Sequence, residues 1–426
     1  MRHTKIVVIG AASASFGPGC LVDAINCQGL AGSELALVDI HAENLEVMAK
    51  LARRVNEESG AGLKITHTTD RLQALPDADF VITCFAVERN ELWKLDWKIP
   101  LKHGIKQVLG ENGGPGGLSH SLRNIPIMLD ICRDMEKLCP KAWLLNFSNP
   151  ESRLCLAVSK HTNIKTVGLC HGVFMGMDSI AKITGTSVED VEVTAAGLNH
   201  LTWMLSARSK ATGEDLYPLL RRKAPDCPPD YLPMTRELLS TFGLFPSPSD
   251  DHIGEYLAFA WDKCLHHGYD FDTADADREE LWNRLVAMAN GREPVDEYMQ
   301  EKSGEPAFDI IKGMLDDANH PLPAVNLPNN GCIANLPDDA VVEIPGVVNA
   351  AGIHGVPVGN LPTAIAALCN TQIGVQYLTV EAAVTGSREK ALQALLADPV
   401  VTNMDAAEKC LDELLQTHAQ YLPQFA

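Results

Sequence analysis

The first half of the chain alternates short, continuous apolar runs with longer amphipathic stretches. Residues 5–10 form a β-branched run that stops at a glycine, which predicts a fully buried strand. Residues 19–30 and 42–58 carry apolar positions at helical spacing and predict amphipathic helices. Further apolar runs follow at 35–39, 64–68, 78–84, 142–146 and 166–170. Strands that alternate with helices predict a parallel, doubly wound α/β sheet with right-handed crossovers.

The pattern changes near residue 192. Residues 191–204 predict two strands separated by a Gly-Leu-Asn-His segment, and 279–290 and 380–396 have helical periodicity. Residues 321–362 are rich in Pro, Gly and Asn and predict short strands joined by turns. We therefore predict two domains: residues 1–195 form the doubly wound domain, and residues 196–426 form an α+β domain.

Composition and charge narrow the classes of function. The 426 residues are 46% hydrophobic, and 35 basic against 55 acidic residues give a net charge of −20, which argues against nucleic-acid or membrane partners. No apolar run approaches the roughly 20 residues that cross a bilayer. The twelve cysteines are scattered singly without a Cys-x-x-Cys pair, which favours free thiols in a reducing compartment. We expect a cytoplasmic protein.

The loop after the first strand has the position of a dinucleotide-binding fingerprint. Gly10 permits a tight turn, and the small residues Ala12 and Ser13 let the backbone approach a pyrophosphate at a helix N-terminus. Asp39 ends the second strand about 20 residues after Gly17, where a carboxylate can bind the ribose hydroxyls of NAD. Ala12 stands where the fingerprint usually has glycine. The alternative is a tight turn followed by an unrelated acid, but the context favours an NAD-binding, Rossmann-like domain.

Two polar segments follow later strands. Residues 110–117 contain five glycines, so their backbone can lie close to a ligand, and Glu111 within them can face it. Asn149 comes just after a buried strand, at the sheet edge where open α/β sheets place their ligands. A flexible surface loop and an ordinary Asn-Pro turn are the alternative interpretations of these segments.

Cysteine, histidine and acidic residues supply the remaining candidate chemistry. Cys170 ends a predicted strand and His200 lies 30 residues later, so a thiolate and an imidazole can hold one divalent ion. Core packing is the commoner role of such a pair. Asp250 and Asp251 precede His252, and this group can act as a base or form only a solvated turn.

Taken in order, these segments resemble glycoside hydrolase family 4, the NAD- and metal-dependent glycosidases with a lactate/malate-dehydrogenase-like fold. This family departs from hydrolysis by two carboxylates. The resemblance runs along nearly the whole chain and is carried by GAASASFG, LVDI, DWKIP, GENGGPGG, RNIP, NFSNP, CHGV, GLNH, DDHIGEY and the Asn330–Pro337 segment NxxxxNLP.

The resemblance implies a role for each of these residues. It makes Cys170 and His200 ligands of a divalent metal, with Mn²⁺ expected, and makes His171 the general-acid candidate. Glu111 and Asn149 become substrate contacts. The family base is an aspartate or a tyrosine, and Asp250 is assigned by the pattern P-x-P-G-D-R-H. In this chain Ser249 and Asp251 replace the glycine and arginine of that pattern, so Asp251 or a tyrosine stays an alternative.

The residues after the metal-binding cysteine track substrate within the family. Cys-His-Glu-Val resembles α-glucosidases, Cys-His-Ser-Val resembles α-galactosidases, and Cys-His-Gly resembles the α-glucuronidase and α-galacturonidase branch. Residues 170–173 read Cys-His-Gly-Val, which implies an α-linked uronide, with Arg123 as the candidate cation for its carboxylate. A neutral α-glucosidase or α-galactosidase is the alternative within the family.

The implied reaction is oxidation at C3 by NAD, removal of the C2 proton, elimination of the aglycone and addition of water. The expected partner is a small glycoside, and family members commonly form homodimers or homotetramers. An NAD-dependent hydroxy-acid or polyol dehydrogenase is the rival from another class of chemistry. A sugar- or nucleotide-sensing module is the non-enzymatic alternative. The dehydrogenase does not explain the combination of CHGV with GLNH.

Overall fold

The computed structural model describes residues 3–14, 16–301 and 303–426. Its first half alternates strands and helices as the apolar runs predict. The strands are β1 (Lys5–Ile9), β2 (Glu34–Val38), β3 (Lys64–Thr68), β4 (Phe80–Thr83), β5 (Trp143–Asn146) and β6 (Lys165–Gly168). The helices are α1 (Gly17–Asn26), α2 (Ala42–Ser59), α3 (Arg71–Ala74), α4 (Arg89–Lys102), α5 (Gly114–Leu138), α6 (Glu151–His161) and α7 (Gly172–Thr184).

The second half mixes strands and helices without regular alternation. The strands are β7 (Val191–Leu198), β8 (Leu201–Ser209), β9 (Phe245–Ser247), β10 (His320–Pro328), β11 (Val341–Asn349) and β12 (Gly352–Gly355). The helices are α8 (Tyr217–Lys223), α9 (Pro233–Phe242), α10 (Asp250–Gly254), α11 (Phe271–Ala289), α12 (Ala307–Asp316), α13 (Thr363–Thr385), α14 (Arg388–Ala397) and α15 (Met404–Thr417). The single helical stretch predicted at 380–396 is wrong, because Gly386 adopts a φ of 68° and ends α13 before α14 begins.

All of these strands belong to one 12-stranded sheet. Six parallel strands come first, in the order β3-β2-β1-β4-β5-β6, and the strands β10-β11-β7-β8-β9 continue the sheet with antiparallel pairing. The two parts join where Asn326 of β10 pairs with Gly168 of β6. The predicted division at residue 195 falls inside β7, so the two halves share a sheet rather than meeting at a linker. The Rossmann-like sheet followed by an α+β half confirms the predicted fold class.

The central strand β1 is buried on both faces. Val7 and Ile9 belong to a core cluster with α5 and α13, while Ile6 and Val8 belong to another with α1, α2 and α12. Because successive side chains of a strand point to opposite faces, this burial requires the continuous apolar run seen in the sequence.

The cysteines agree with the free thiols that their scattered spacing predicts. All twelve thiols are free, nine of them buried. No helix in the described residues combines the length and the apolar character that crossing a bilayer requires.

Candidate active site

The turn after β1 lies at the carboxyl edge of the parallel sheet. Gly10 has a φ of +92°, and a Cβ there would lie 2.8 Å from the carbonyl carbon and oxygen of Cys84 at the end of β4. Only glycine fits this position, because it combines positive φ with close backbone approach. The turn then closes through a hydrogen bond from the Ser13 N–H to the Gly10 carbonyl at 2.9 Å.

Asp39 ties this turn to the end of β2. Its Oδ2 accepts the Ala12 N–H at 3.0 Å, and its Oδ1 accepts the His41 N–H at 3.0 Å. Helix α1 begins directly after the turn, and no described side chain caps its N-terminus. A carboxylate at the end of β2 beside an uncapped helix N-terminus suits the ribose and the pyrophosphate of NAD.

Cys170 and His200 are adjacent at the end of the parallel part of the sheet. Cys170 follows β6, and His200 stands in the turn between β7 and β8 with a φ of 61°. The Cys170 Sγ lies 3.3 Å from His200 Nε2. Two ligands about 2.0–2.3 Å from one ion, at angles of roughly 90–110°, lie about 3.1–3.6 Å apart, so the pair fits a shared metal.

The protonation of the pair follows from burial. Burial lowers the pKa of His200, and the neighbouring His252 and His171 lower it further, so the imidazole is neutral and available as a ligand. Burial raises the pKa of the Cys170 thiol, with the Glu343 carboxylate adding to the rise. A bound divalent ion supplies the positive charge that stabilises the thiolate.

His252 and Glu255 surround the same imidazole. The rings of His200 and His252 have centroids 4.3 Å apart, and one ligand atom from each of His200, His252 and Glu255 lies within 4.8 Å of the others. The buried His200 Nδ1, His252 Nδ1 and Glu255 Oε1 have no hydrogen-bond partner among the described residues. These unmet polar atoms are an independent sign of a site that binds a polar group. From the sequence, His252 is considered only as part of a possible base, and Glu255 is given no role at the metal pair.

The pKa of His252 is raised to about 9. Burial alone would lower it, but the Glu255 carboxylate, whose Oε1 lies 3.7 Å from His252 Nδ1, and the charge of Asp251 outweigh that effect. His252 is therefore a cation beside the predicted metal pair.

Glu255 also holds the glycine-rich loop. Its Oε2 accepts the backbone N–H groups of Glu111, Asn112 and Gly113 at 2.7, 2.6 and 2.9 Å. A Cβ at Gly113 would lie 2.5 Å from the Glu255 carbonyl oxygen, so the contact requires glycine. The loop is buried rather than flexible at the surface.

Glu111 is fixed inside this loop. Arg89 Nη2 donates to its Oε1 at 2.7 Å. Burial would raise the pKa of Glu111, but Arg89 and His252 outweigh it and lower the pKa, so the carboxylate is charged. Asn149 follows β5, next to the strand that carries Cys170, and its carbonyl accepts a hydrogen bond from Asn124 at 2.8 Å.

His171 lies beside Cys170 and is half-exposed. Its Nδ1 lies 2.9 Å from Oε1 of Glu305. That hydrogen bond raises the pKa of His171 although partial burial opposes the rise. With Nδ1 occupied by the carboxylate, Nε2 is the nitrogen left for other contacts. Glu305 carries no sequence motif and is not among the predicted site residues.

Asp250 has a structural contact in addition to its predicted role. Its two oxygens accept the backbone N–H groups of Met234 and Thr235 at 2.8 and 2.7 Å, at the start of α9. This arrangement stabilises the helix N-terminus. Among the alternatives, Tyr256 is deeply buried, which raises the pKa of its phenol and disfavours a phenolate base. The role of Asp250 as the base stays a prediction.

The assignment of Arg123 to the substrate needs correction. Its side chain is only 1% exposed, and its Nη1 donates to Asp96 Oδ1 at 3.0 Å and to Ser119 Oγ at 2.8 Å. A guanidinium enclosed in this way is neutralised by Asp96 and cannot meet a substrate carboxylate. The sequence shows a cation at position 123, but it does not show that Asp96 lies against it.

Comparison with known proteins covers nearly the whole chain. The model of the family 4 glycosyl hydrolases matches residues 5–186, and that of the family 4 glycosyl hydrolase C-terminal domain matches residues 195–401. An α-glucosidase of Erwinia rhapontici is 36% identical over 460 aligned positions, which cover 98% of this chain and 99% of the relative. An α-galactosidase of Bacillus subtilis is 33% identical over 438 positions, covering 99% of each.

A solved structure adds the cofactors. The 6-phospho-β-glucosidase of Thermotoga maritima, determined with manganese, NAD⁺ and glucose-6-phosphate, is similar at a TM-score of 0.82 and 25% identity, covering 98% of this chain and 99% of that one. The two cofactors predicted for this chain, NAD and Mn²⁺, are thus both present in this relative. The chain belongs to glycoside hydrolase family 4 and is an NAD- and divalent-metal-dependent glycoside hydrolase.

Proposed function

We propose that this glycosidase hydrolyses α-linked uronides, namely α-glucuronides or α-galacturonides. The observation that carries the proposal is Gly172, which follows Cys170 and His171. A Cβ at Gly172 would lie 3.5 Å from the Cys170 Sγ and 3.4 Å from Cβ of Pro248, so a side chain at this position would stand against the metal-binding thiol. Glycine leaves that space open.

The charge at position 172 also supports a uronide substrate. A glutamate at position 172, as in the Cys-His-Glu motif, would place a carboxylate where a uronate carboxylate has to be tolerated, and like charges in a desolvated site repel strongly. Glycine adds neither bulk nor charge. The pKa of His171 is raised and that of His252 is raised to about 9, and both shifts favour the positively charged imidazole near this space.

When bound, NAD accepts the hydride of C3 and later returns it, and the divalent ion polarises the sugar oxygens, so that the C2 proton becomes acidic. We assign Gly10, Ala12, Ser13 and Asp39 to NAD, and Cys170 and His200 to the ion. Glu111 and Asn149 orient the sugar through hydrogen bonds.

Two residues move protons in this proposal. Asp250 takes the proton from C2, and the C1–O bond breaks by elimination. His171 gives the proton on Nε2 to the departing oxygen, while Glu305 holds Nδ1 and thereby fixes the ring. Water then adds at C1 and the C2 proton is restored, so the net reaction is hydrolysis.

The test is a panel of nitrophenyl glycosides assayed with NAD, Mn²⁺ and a thiol reductant. We expect kcat/KM to be higher for α-glucuronide or α-galacturonide than for α-glucoside and α-galactoside. Gly172→Glu should reduce activity on the uronide more than on the neutral sugar. A higher kcat/KM of the native enzyme for a neutral α-glycoside would contradict the uronide proposal.

The same samples test the assembly. We propose a cytoplasmic homodimer or homotetramer. The free thiols support the reducing compartment, and the oligomeric states common in the family support the assembly. Light scattering after size exclusion measures the mass directly, and a monomer at the working concentration of the assay would contradict the assembly.

A further inference from the structure

A cavity of about 350 Å³ opens beside the proposed site, within the size range of small-molecule pockets. It lies between the start of α1, the segment after β5, the start of α7 and the residues that precede and begin α12. Four phenylalanines line it: Phe16, Phe147, Phe174 and Phe308. The rings of Phe16 and Phe147 are stacked with centroids 5.8 Å apart, so one wall is flat and apolar.

The polar part of the lining includes His171, Glu305 and Asp23. The Asp23 carboxylate accepts the Ser303 N–H at 3.1 Å. Two carboxylates in the wall of an apolar cavity disfavour an anionic occupant.

Glu305 carries the signal that points to a ligand. Its side chain is 8% exposed, and its Oε1 contacts His171. Its Oε2 is buried and has no hydrogen-bond partner among the described residues. A buried carboxylate oxygen without a donor is costly, and a hydroxyl of a bound molecule would satisfy it.

We propose that this cavity is the subsite for the leaving group, and that it takes an uncharged aglycone with a flat apolar face and a hydroxyl directed at Glu305. The inference rests on the proposed function only in that His171 faces the departing oxygen. Because His171 lies in the wall of this cavity, the cavity is placed to receive the aglycone that is attached to that oxygen. An aryl group or the apolar face of a second sugar ring has this chemistry.

The test compares aryl with methyl glycosides of whichever sugar the enzyme cleaves, so its outcome does not depend on the uronide assignment. We expect Phe174→Ala to lower kcat/KM for the phenyl glycoside by roughly 3- to 10-fold more than for the methyl glycoside. Phe259→Ala, a change at an exposed aromatic side chain outside the cavity lining, should leave this ratio unchanged. Met175→Ala, at a partly exposed position of the same wall, provides a second variant if Phe174→Ala does not fold.

The charge of the aglycone provides a second, independent test of the subsite. A carboxyphenyl glycoside should have a lower kcat/KM than the phenyl glycoside. Asp23→Asn should reduce this difference in kcat/KM. Titration of NAD, followed by protein fluorescence, should give the same Kd for Phe174→Ala as for the native enzyme. Equal losses on phenyl and methyl glycosides would overturn the subsite, and a weaker Kd for NAD would assign the cavity to the nicotinamide ring instead.

Discussion

The Sγ atom of Cys170 lies 3.3 Å from Nε2 of His200, and each of the two residues lies two positions after the end of a strand of the same sheet. Strand ends hold side chains more rigidly than long loops do, so the pair is in place before an ion arrives.

Cys170→Ser should therefore fold normally but bind Mn²⁺ weakly, because a neutral hydroxyl is a much poorer ligand than a thiolate. We expect activity to fall by roughly 100-fold or more. Electron paramagnetic resonance of free Mn²⁺ measures the affinity, and thermal unfolding checks the fold. Cys227→Ser, at a partly exposed thiol just after the short 3₁₀ helix Ala224–Asp226, is the matched control. Native-like affinity and rate in Cys170→Ser would exclude the cysteine as a ligand.

The proposed reaction breaks the C2–H bond, which direct displacement at C1 leaves intact. Hydrolysis in D₂O should therefore yield a sugar that carries deuterium at C2, because the abstracted proton exchanges with solvent on the base. Mass spectrometry and proton NMR of the product measure the incorporation. Product without deuterium at C2, from an enzyme that stays fully active after NAD is removed, would refute the mechanism.

Asp250→Asn tests the base. We expect turnover to fall by roughly 100-fold or more, since general-base catalysis contributes about 10²–10⁴, while the Kd for NAD stays unchanged. The amide also weakens the capping of α9, so a stability loss of about 1 kcal/mol is expected. Asp251→Asn is the matched control at the neighbouring position. A large loss in Asp251→Asn with native-like rates in Asp250→Asn would reassign the base.

Glu255→Gln tests the support of the glycine-rich loop. The carboxylate oxygen that accepts three N–H groups becomes a neutral amide, so Glu111 loses its fixed position. We expect KM for the glycoside to rise more than kcat falls, with the Kd for NAD unchanged. Steady-state kinetics over a range of substrate concentrations separates the two parameters. An unchanged KM would show that the loop holds its shape without the charge.

The buried ion pair between Asp96 and Arg123 predicts how stability responds to acid. Burial would raise the pKa of Asp96, but Arg123 and the hydrogen bond from His418 outweigh it and lower the pKa from 3.8 to about 2. The folded state thus favours the charged form, and this stabilisation is complete above about pH 4 and is lost as the pH falls towards 2.

Asp96→Asn should cost roughly 3–5 kcal/mol of the free energy of unfolding at neutral pH, because Arg123 is left buried without its counter-charge. The part of the acid dependence due to Asp96 should disappear in the variant. Urea denaturation at several pH values measures both effects. Asp130→Asn removes an exposed partner of Arg133 and should change stability by less than about 1 kcal/mol. Equal stability of the two variants would contradict the argument.

The sequence predicts those parts of the molecule whose signal is local. The strand at β1 requires an unbroken apolar run, and Gly10 requires a glycine, so both are visible without a structure. Glu305 and Glu255 contact His171 and the Glu111 loop from more than 130 positions away, and no local pattern marks such contacts. The prediction that Arg123 meets the substrate is wrong for the same reason, because its neutralising partner Asp96 lies on another helix.

The pairing of Gly168 with Asn326 makes the sheet continuous across both halves of the chain. A hinge at this junction would have to break the bridge between β6 and β10, so we expect the two halves not to open and close as separate lobes around the sugar. Entry of substrate and exit of product must therefore rely on local displacement of side chains and short segments at the carboxyl edge. Hydrogen exchange during turnover should accordingly quicken at that edge and stay slow in the strands beneath it.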